Sequence, residues 1–181
     1  MSRFPLLKET SDPEVNELYK QMLEAGFGNK ATPFNFFTAQ GTRPDILRAT
    51  WGLTRCVLVE GRLPATVKQM IVMVVSSQAD CRYCSVTHRG TLESMGVAEE
   101  VIRSCIEDPE LAEVPEPHRA ILKFALKTAR SPGSVTDADY EGLTERGLHD
   151  EEIMEVVMVA AFTNFINTWA DASGIALDGK V

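Results

Sequence analysis

The chain has 181 residues, 44% of them hydrophobic, with a formal net charge of −8 and an isoelectric point near 4.9. That length and apolar share are enough for one compact domain with its own core, and the acidity excludes nucleic acid and anionic membrane surfaces as partners. No run reaches the roughly 18 apolar residues of a membrane span, and the opening Met-Ser-Arg-Phe-Pro-Leu-Leu-Lys-Glu is charged too early for a signal peptide, so the location expected is the cytoplasm.

In chain order, the pattern predicts helices and almost no strand. Ser11 and Glu14 have the spacing of a capping box, Pro13 fits a first turn, and Val15, Leu18, Met22 and Leu23 keep helical spacing up to a stop near Gly26. Residues 27–44 form an aromatic connection with one short helix from Pro33, followed by a helix over 45–59 and a turn at Glu60-Gly61-Arg62. Residues 64–78, PATVKQMIVMVVSSQ, are the most apolar segment. Their β-branched run is compatible with a buried strand, but the opening proline and the length favour a buried helix. Asp80 is placed to cap a helix from Cys81 to Met95 that stops at Gly96. Helices over 98–107 and 117–130 follow, the second broken by Ser131-Pro132-Gly133. Thr136 and Asp139 make another capping box, for a short helix ending at Gly147, and Asp150 opens a long helix to Ser173 with Gly174 as its stop. Its EEIMEVVMVAAFTNF echoes VKQMIVMVVSSQ, as a duplicated helical unit would. The fold class expected is all-α, a single-domain bundle of about seven to nine helices, with residues 1–62 an N-terminal helical part and 63–181 the core.

The chemistry concentrates in Asp80-Cys81-Arg82-Tyr83-Cys84-Ser85-Val86-Thr87-His88. On a helix, Cys81, Cys84 and His88 share one face, and cysteines at this spacing are close enough to bridge. Unpaired N–H groups at the helix start favour a thiolate, Arg82 adds positive charge, and His88 can exchange a proton with Cys84 from one turn away. A thiolate, a proton shuttle and a second thiol are the parts needed to reduce a peroxide. One sulfur attacks the O–O bond and becomes a sulfenic acid, which the other resolves as a disulfide. The competing readings are two inert buried thiols and a zinc site on Cys81, Cys84 and His88 completed by Cys105, His118 or His149. The phase of His88 argues against the first, and the lack of a second CxxC or an HxxxH against the second. Cys56 and Cys105 lie in apolar helical patterns and read as structural, while His118 and His149 read as surface residues at helix starts. The Phe34–Phe37 cluster reads as core or interface packing, with a pocket wall as the functional alternative. Tyr83 fits pocket lining and packing on the preceding helix equally. Trp169 and Asn164 are placed on the last helix, with nothing in the sequence to bring them to the site.

This segment, most clearly over residues 63–97, resembles the AhpD-like, or carboxymuconolactone decarboxylase-like, family. The flanking FNFFTAQGTRPDILRA and AAFTNFINTWADASGI resemble its peroxidase-related branch. The resemblance implies a thiol-dependent (alkyl) hydroperoxide reductase with Cys84 as the attacking thiol, Cys81 as the resolving thiol and His88 as proton relay. It also implies a homo-oligomer, trimer or hexamer, which the apolar excess of 69–75 and 153–162 supports. No cofactor or metal is expected. The thiol reductant, a protein or a small molecule, is not named by the sequence, and a lipoyl-bearing protein is one precedent in the family. The family places a glutamate twelve residues before the first cysteine to complete the relay; here that position is Gln69. Glutamine takes no proton at neutral pH, so either another acid such as Glu60 or Glu93 substitutes, or Cys84 is less activated, or the substrate has changed. Two other functions are carried forward: a decarboxylase-like lyase on a small organic acid, which would not need the cysteine pair, and a non-catalytic redox sensor.

Overall fold

The structure is a computed structural model that describes residues 2–29 and 31–179. Among these residues the chain forms nine α-helices and no strand, beyond an isolated bridge between Gly28 and Pro33. The all-α class is borne out. The helices are α1 (Pro13–Glu24), α2 (Asn35–Thr38), α3 (Pro44–Thr54), α4 (Ala65–Gln78), α5 (Arg82–Ser94), α6 (Glu99–Glu107), α7 (Glu116–Arg130), α8 (Asp137–Thr144) and α9 (Asp150–Ser173). A wider π-type turn, Arg55–Val59, prolongs α3.

The departures from expectation are at caps. Asp12, not Ser11, caps α1: its carboxylate accepts from the N–H groups of Glu14 at 2.9 Å and Val15 at 3.3 Å. Pro13 at the first helical position makes its immediate predecessor the cap, and a short acidic side chain there reaches two otherwise unpaired donors. The capping box of Thr136 and Asp139 opens α8 as the spacing indicates. At α9, His149 takes the cap position, its N–H donating to Glu152 at 2.9 Å.

α4 lies at the centre, packed by α5, α6, α7, α9 and the 55–59 turn. This explains why it shows no polar face: Val67 through Ser76 are all buried. A helix apolar all round is stable only inside a bundle, where each buried Val, Ile or Met side chain contributes about 1.5–3 kcal/mol. Lys68 is the one charged residue within that run. Its ammonium donates to the Glu60 carbonyl and pairs with Glu155 on α9 at 3.0 Å. Glu155 also accepts from the N–H groups of Arg62 at 2.6 Å and Leu63 at 3.0 Å, which ties the turn before α4 to α9. A buried charge is tolerated only with such pairing.

α9 is long and apolar enough to cross a membrane by length and composition, although no uninterrupted apolar run announces it. Half of its most apolar stretch is buried, and it packs on α4, α5 and α7. Its outer face leaves Met154, Met158 and Phe165 exposed. One hydrophobic core runs from Val15 to Ile175 and draws on both the 1–62 and 63–181 parts.

Candidate active site

The α4–α5 junction sets the geometry. Asp80 adopts a left-handed conformation (φ +56°) that reverses the chain after α4, a conformation that Asp tolerates better than most side chains. The Cys81 N–H then donates to the Ser76 carbonyl at 3.0 Å, and Cys81 itself, with extended backbone, occupies the cap position of α5. This corrects the expectation that Asp80 caps the helix, since its backbone is spent on the reversal. Cys84 follows in the first turn and His88 one turn later. All three are buried, and both cysteines are free thiols.

Cys84 and His88 open onto a cavity of about 350 Å³. Its walls are the aromatic segment before α3 (Phe27, Phe34, Phe36, Phe37), Gln69 of α4, Tyr83 of α5 and Phe162 and Ile166 of α9. The Phe34–Phe37 cluster is therefore a pocket wall as well as core. No Asp, Glu, Lys or Arg among the described residues lines the chamber. Gln69 Oε1 stands 2.5 Å from His88 Nδ1. With the amide oxygen as acceptor, the ring carries its proton on Nδ1 and leaves Nε2 as the basic nitrogen. Burial without a carboxylate partner pushes the imidazole down to about 4, so it is neutral at physiological pH. Neither acid considered as a substitute for the family glutamate is used here: Glu60 pairs with Arg55 and Glu93 with Arg89, both at the surface.

Tyr83 lines the cavity and is fixed from behind. Its hydroxyl donates to the Asp178 carboxylate and accepts from the Phe36 N–H at 3.1 Å. Asp178 also accepts from the Asn35 N–H at 2.5 Å, so the C-terminal segment braces α2 and α5 together. Burial and the adjacent carboxylate push the Tyr83 phenol up, so it stays neutral.

Cys81 faces the other way, toward α9. Its Sγ lies 4.0 Å from the Asn167 carbonyl, and Asp171 follows one turn further along α9. The neighbouring Cys84 thiol pulls Cys81 below the ordinary thiol range, joined by the Cys84 N–H and opposed by burial and by the charge of Asp171. Cys84 is driven up by Cys81 beside it and then by burial. Of the two thiols, Cys81 is therefore the one its surroundings make easier to ionise, and Cys84 the harder. Sequence reasoning missed Asp171 and Asp178: both act across the bundle from the C-terminal part, and no local spacing signals such contacts.

The remaining candidates fall outside the site. Cys56 is exposed, against the expectation of a buried structural residue, because it lies on the outer side of the 55–59 turn. Cys105 is buried in α6. Asn164 donates to the Ala129 carbonyl at 2.8 Å, and Trp169 stacks on Phe4 and donates to the Phe36 carbonyl at 3.3 Å. Among the described residues, no group of three or more His, Cys, Asp or Glu side chains is placed to hold a metal ion.

Residues 44–113 match the carboxymuconolactone decarboxylase family. The matched segment contains Gln69, Cys81, Cys84 and His88, and the resemblance read from the CxxCxxxH segment is borne out. The AhpD-like fold extends over the whole chain. A peroxidase-related protein from Ralstonia eutropha JMP134 with an alkylhydroperoxidase AhpD core superposes with a TM-score of 0.84 and 27% identity, covering 98% of this chain and 93% of its own. A peroxidase-related protein from Silicibacter sp. TM1040 gives a TM-score of 0.87 at 22% identity, with 98% and 92% covered. The debrominase Bmp8, in complex with 2,3,4-tribromopyrrole, gives 0.79 at 22% identity, with 99% and 95% covered. No curated protein matches the sequence significantly.

Proposed function

We propose that this AhpD-like protein reduces organic hydroperoxides through the Cys81–Cys84 dithiol. The observation that carries the reading is the pairing of a free dithiol and a neutral histidine with a largely apolar, uncharged cavity. Cys84, the sulfur that lines the cavity, attacks the distal oxygen. Its proton passes to His88 Nε2 and on to the departing alkoxide, and Gln69 holds the ring in the tautomer that leaves Nε2 free. Cys84 becomes a sulfenic acid, and Cys81 displaces its oxygen to form the disulfide, which an external thiol system reduces. The 27%-identical Ralstonia protein, called peroxidase-related, supports the reading.

The lining also selects among substrates. An uncharged cavity disfavours a carboxylate, which would be desolvated there without a cation. This weighs against the lyase on a small organic acid and favours neutral hydroperoxides. The aromatic wall favours a second reading, reductive debromination of an aromatic ring, in which the dithiol is oxidised to the disulfide as bromide is replaced by hydrogen. The exposed Met154, Met158 and Phe165 stripe on α9 supports a homo-oligomer, and the free thiols fit a reducing cytoplasm.

Stopped-flow oxidation of the reduced protein by cumene hydroperoxide tests the function. Rapid conversion to the Cys81–Cys84 disulfide is expected. Oxidation no faster than that of a free thiol overturns the peroxidase reading: bromide release from tribromopyrrole then favours debromination, and slow stoichiometric oxidation with a changed oligomer favours a sensor.

A further inference from the structure

The chamber that Cys84 opens onto has a closed end and an open end. On α5 its lining is one stripe of Cys84, Thr87, His88, Thr91, Ser94 and Met95, the face that spacings of three and four residues give. Burial falls along that stripe: Cys84 and His88 are buried, Thr87 and Thr91 half-buried, Ser94 and Met95 exposed. The facing elements show the same gradient. Gln69 of α4 is buried and Ala65, one turn before it, is exposed; in the π-type turn Leu58 is buried and Val59 is 47% exposed. The sulfur therefore lies at the closed end, and the open end, rimmed by Val59, Met95, Ala25 and Gly26, is largely apolar. From Cys84 to Met95 the helix rises about 16 Å. A volume of about 350 Å³ spread over that length leaves room for one slender chain and not for rings side by side. The hydroxyls along the way have already used their protons. Thr54 donates to the Thr50 carbonyl at 2.8 Å, Thr91 to the Thr87 carbonyl at 3.0 Å and Ser94 to the Thr91 carbonyl at 2.7 Å, while Tyr83 donates to Asp178. They offer nothing to replace the hydration of a buried carboxylate, whereas methylene groups gain by leaving water.

We propose that the chamber selects an unbranched aliphatic chain that enters head-first, so that the favoured hydroperoxides carry the –OOH group at the end of a chain of about ten carbons. The chain is argued from the shape of the chamber alone, and the head group rests on the peroxidase reading above. At the closed end the –OOH group meets Cys84 and His88; the methylenes run past Leu58 and Thr91, and the far end of the chain emerges between Val59 and Met95. The two thiols supply two electrons and two protons. The O–O bond breaks, the chain leaves as the alkanol, the distal oxygen leaves as water, and the S–S bond forms. Because the far end of the chain reaches water, a charge is tolerated there but not part-way along.

The n-alkanols, products of that reaction, carry the same chain and react with neither sulfur, so calorimetry on the reduced protein probes the chamber without any hydroperoxide. From butanol upward, affinity is expected to rise about fourfold per methylene and to level off near about ten carbons, where the chain reaches solvent. The carboxylate of 8-hydroxyoctanoate would be held inside, so this acid should bind about a hundredfold more weakly than octanol, whereas 12-hydroxydodecanoate should bind within about tenfold of dodecanol. Thr91→Phe, which narrows the chamber half-way, should weaken decanol binding about tenfold, and Ser94→Trp at the open end serves if that variant fails to fold. In turnover with dithiothreitol, decyl hydroperoxide should surpass butyl hydroperoxide through a lower KM, with kcat within about twofold; the Cys56→Ser protein is used, so that the exposed thiol adds no background. Affinity that is flat or falls beyond about six carbons, equal losses for the two hydroxy acids, decanol binding unchanged in a folded chamber variant, or equal KM values for the two hydroperoxides overturns the proposal. A protein that binds the alkanols as expected but reduces no hydroperoxide loses the peroxidase reading and keeps the chain selection. One that reduces cumene hydroperoxide and shows no dependence on chain length keeps the peroxidase reading and loses the chain selection.

Discussion

Cys84 and Cys81 stand three residues apart at one helix start and meet opposite surroundings. Cys84 faces a largely apolar chamber whose polar lining, including His88, Gln69, Tyr83 and several hydroxyls, is uncharged. Cys81 faces α9, with the Asn167 backbone carbonyl 4.0 Å from its sulfur. Cys81 sits at the cap of α5 and Cys84 in its first turn, and the rest of the bundle presents a different wall to each. Only Cys84 lines the cavity; Cys81 is buried behind it.

The largest effect that could break this contrast is expected from single cysteine variants. Cys84→Ser should lower the rate of hydroperoxide-driven thiol loss by about a thousandfold or more, to that of a free thiol, whereas Cys81→Ser should keep the first oxidation and lose only the disulfide, both read by stopped flow with thiol counting. Next in size, His88→Leu should slow oxidation by cumene hydroperoxide about a hundredfold. It should leave the Cys81 displacement step within about twofold, since His88 serves the cavity side alone; equal losses in both steps would dissolve the contrast. Gln69→Glu should act in the opposite sense. A carboxylate against Nδ1 raises the imidazole pKa from its depressed value near 4 and should speed peroxide reduction several-fold while moving the acid limb of its pH profile upward. A folded variant with an unchanged or lower rate would show that the amide is not what limits the site.

The effect least tied to the two sulfurs is on stability. His88 titrates near 4 when folded and near 6.5 in the reference state. The unfolded chain thus binds a proton that the folded protein refuses, and stability falls as pH drops from about 6.5 to about 4, by about 3 kcal/mol in all. Denaturant unfolding over this range should show a steeper loss in the parent than in His88→Leu, where that component is absent. Parallel curves would mean that the histidine is protonated inside the fold.

The helices and the dithiol face were legible because they rest on local signals. The Pro64 start and the length of the 64–78 run identified α4 despite its β-branched residues, and the spacing of Cys81, Cys84 and His88 placed them on one side of α5. The cap errors at Ser11 and Asp80 are of one kind: each choice lies between neighbouring residues and is decided by backbone geometry that composition does not report. The Gln69–His88 contact could be anticipated because the substituted position was visible through the family pattern. Asp171 and Asp178 could not, since each reaches α5 from a segment far along the chain. The uncharged character of the cavity was equally hidden, because its walls come from four separated segments whose charged residues all point elsewhere.

The division of labour between the sulfurs is tested most directly by trapping the first sulfenic acid. Reduced Cys81→Ser and Cys84→Ser proteins would each be mixed with cumene hydroperoxide and dimedone, and the label mapped by mass spectrometry at early times. Rapid labelling of Cys84 in the Cys81→Ser protein, with Cys81 in the Cys84→Ser protein reacting no faster than a free thiol, is the expected result. Rapid labelling of Cys81 and a silent Cys84 would reverse the assignment and make the α9 side, not the cavity, the place where substrate meets sulfur.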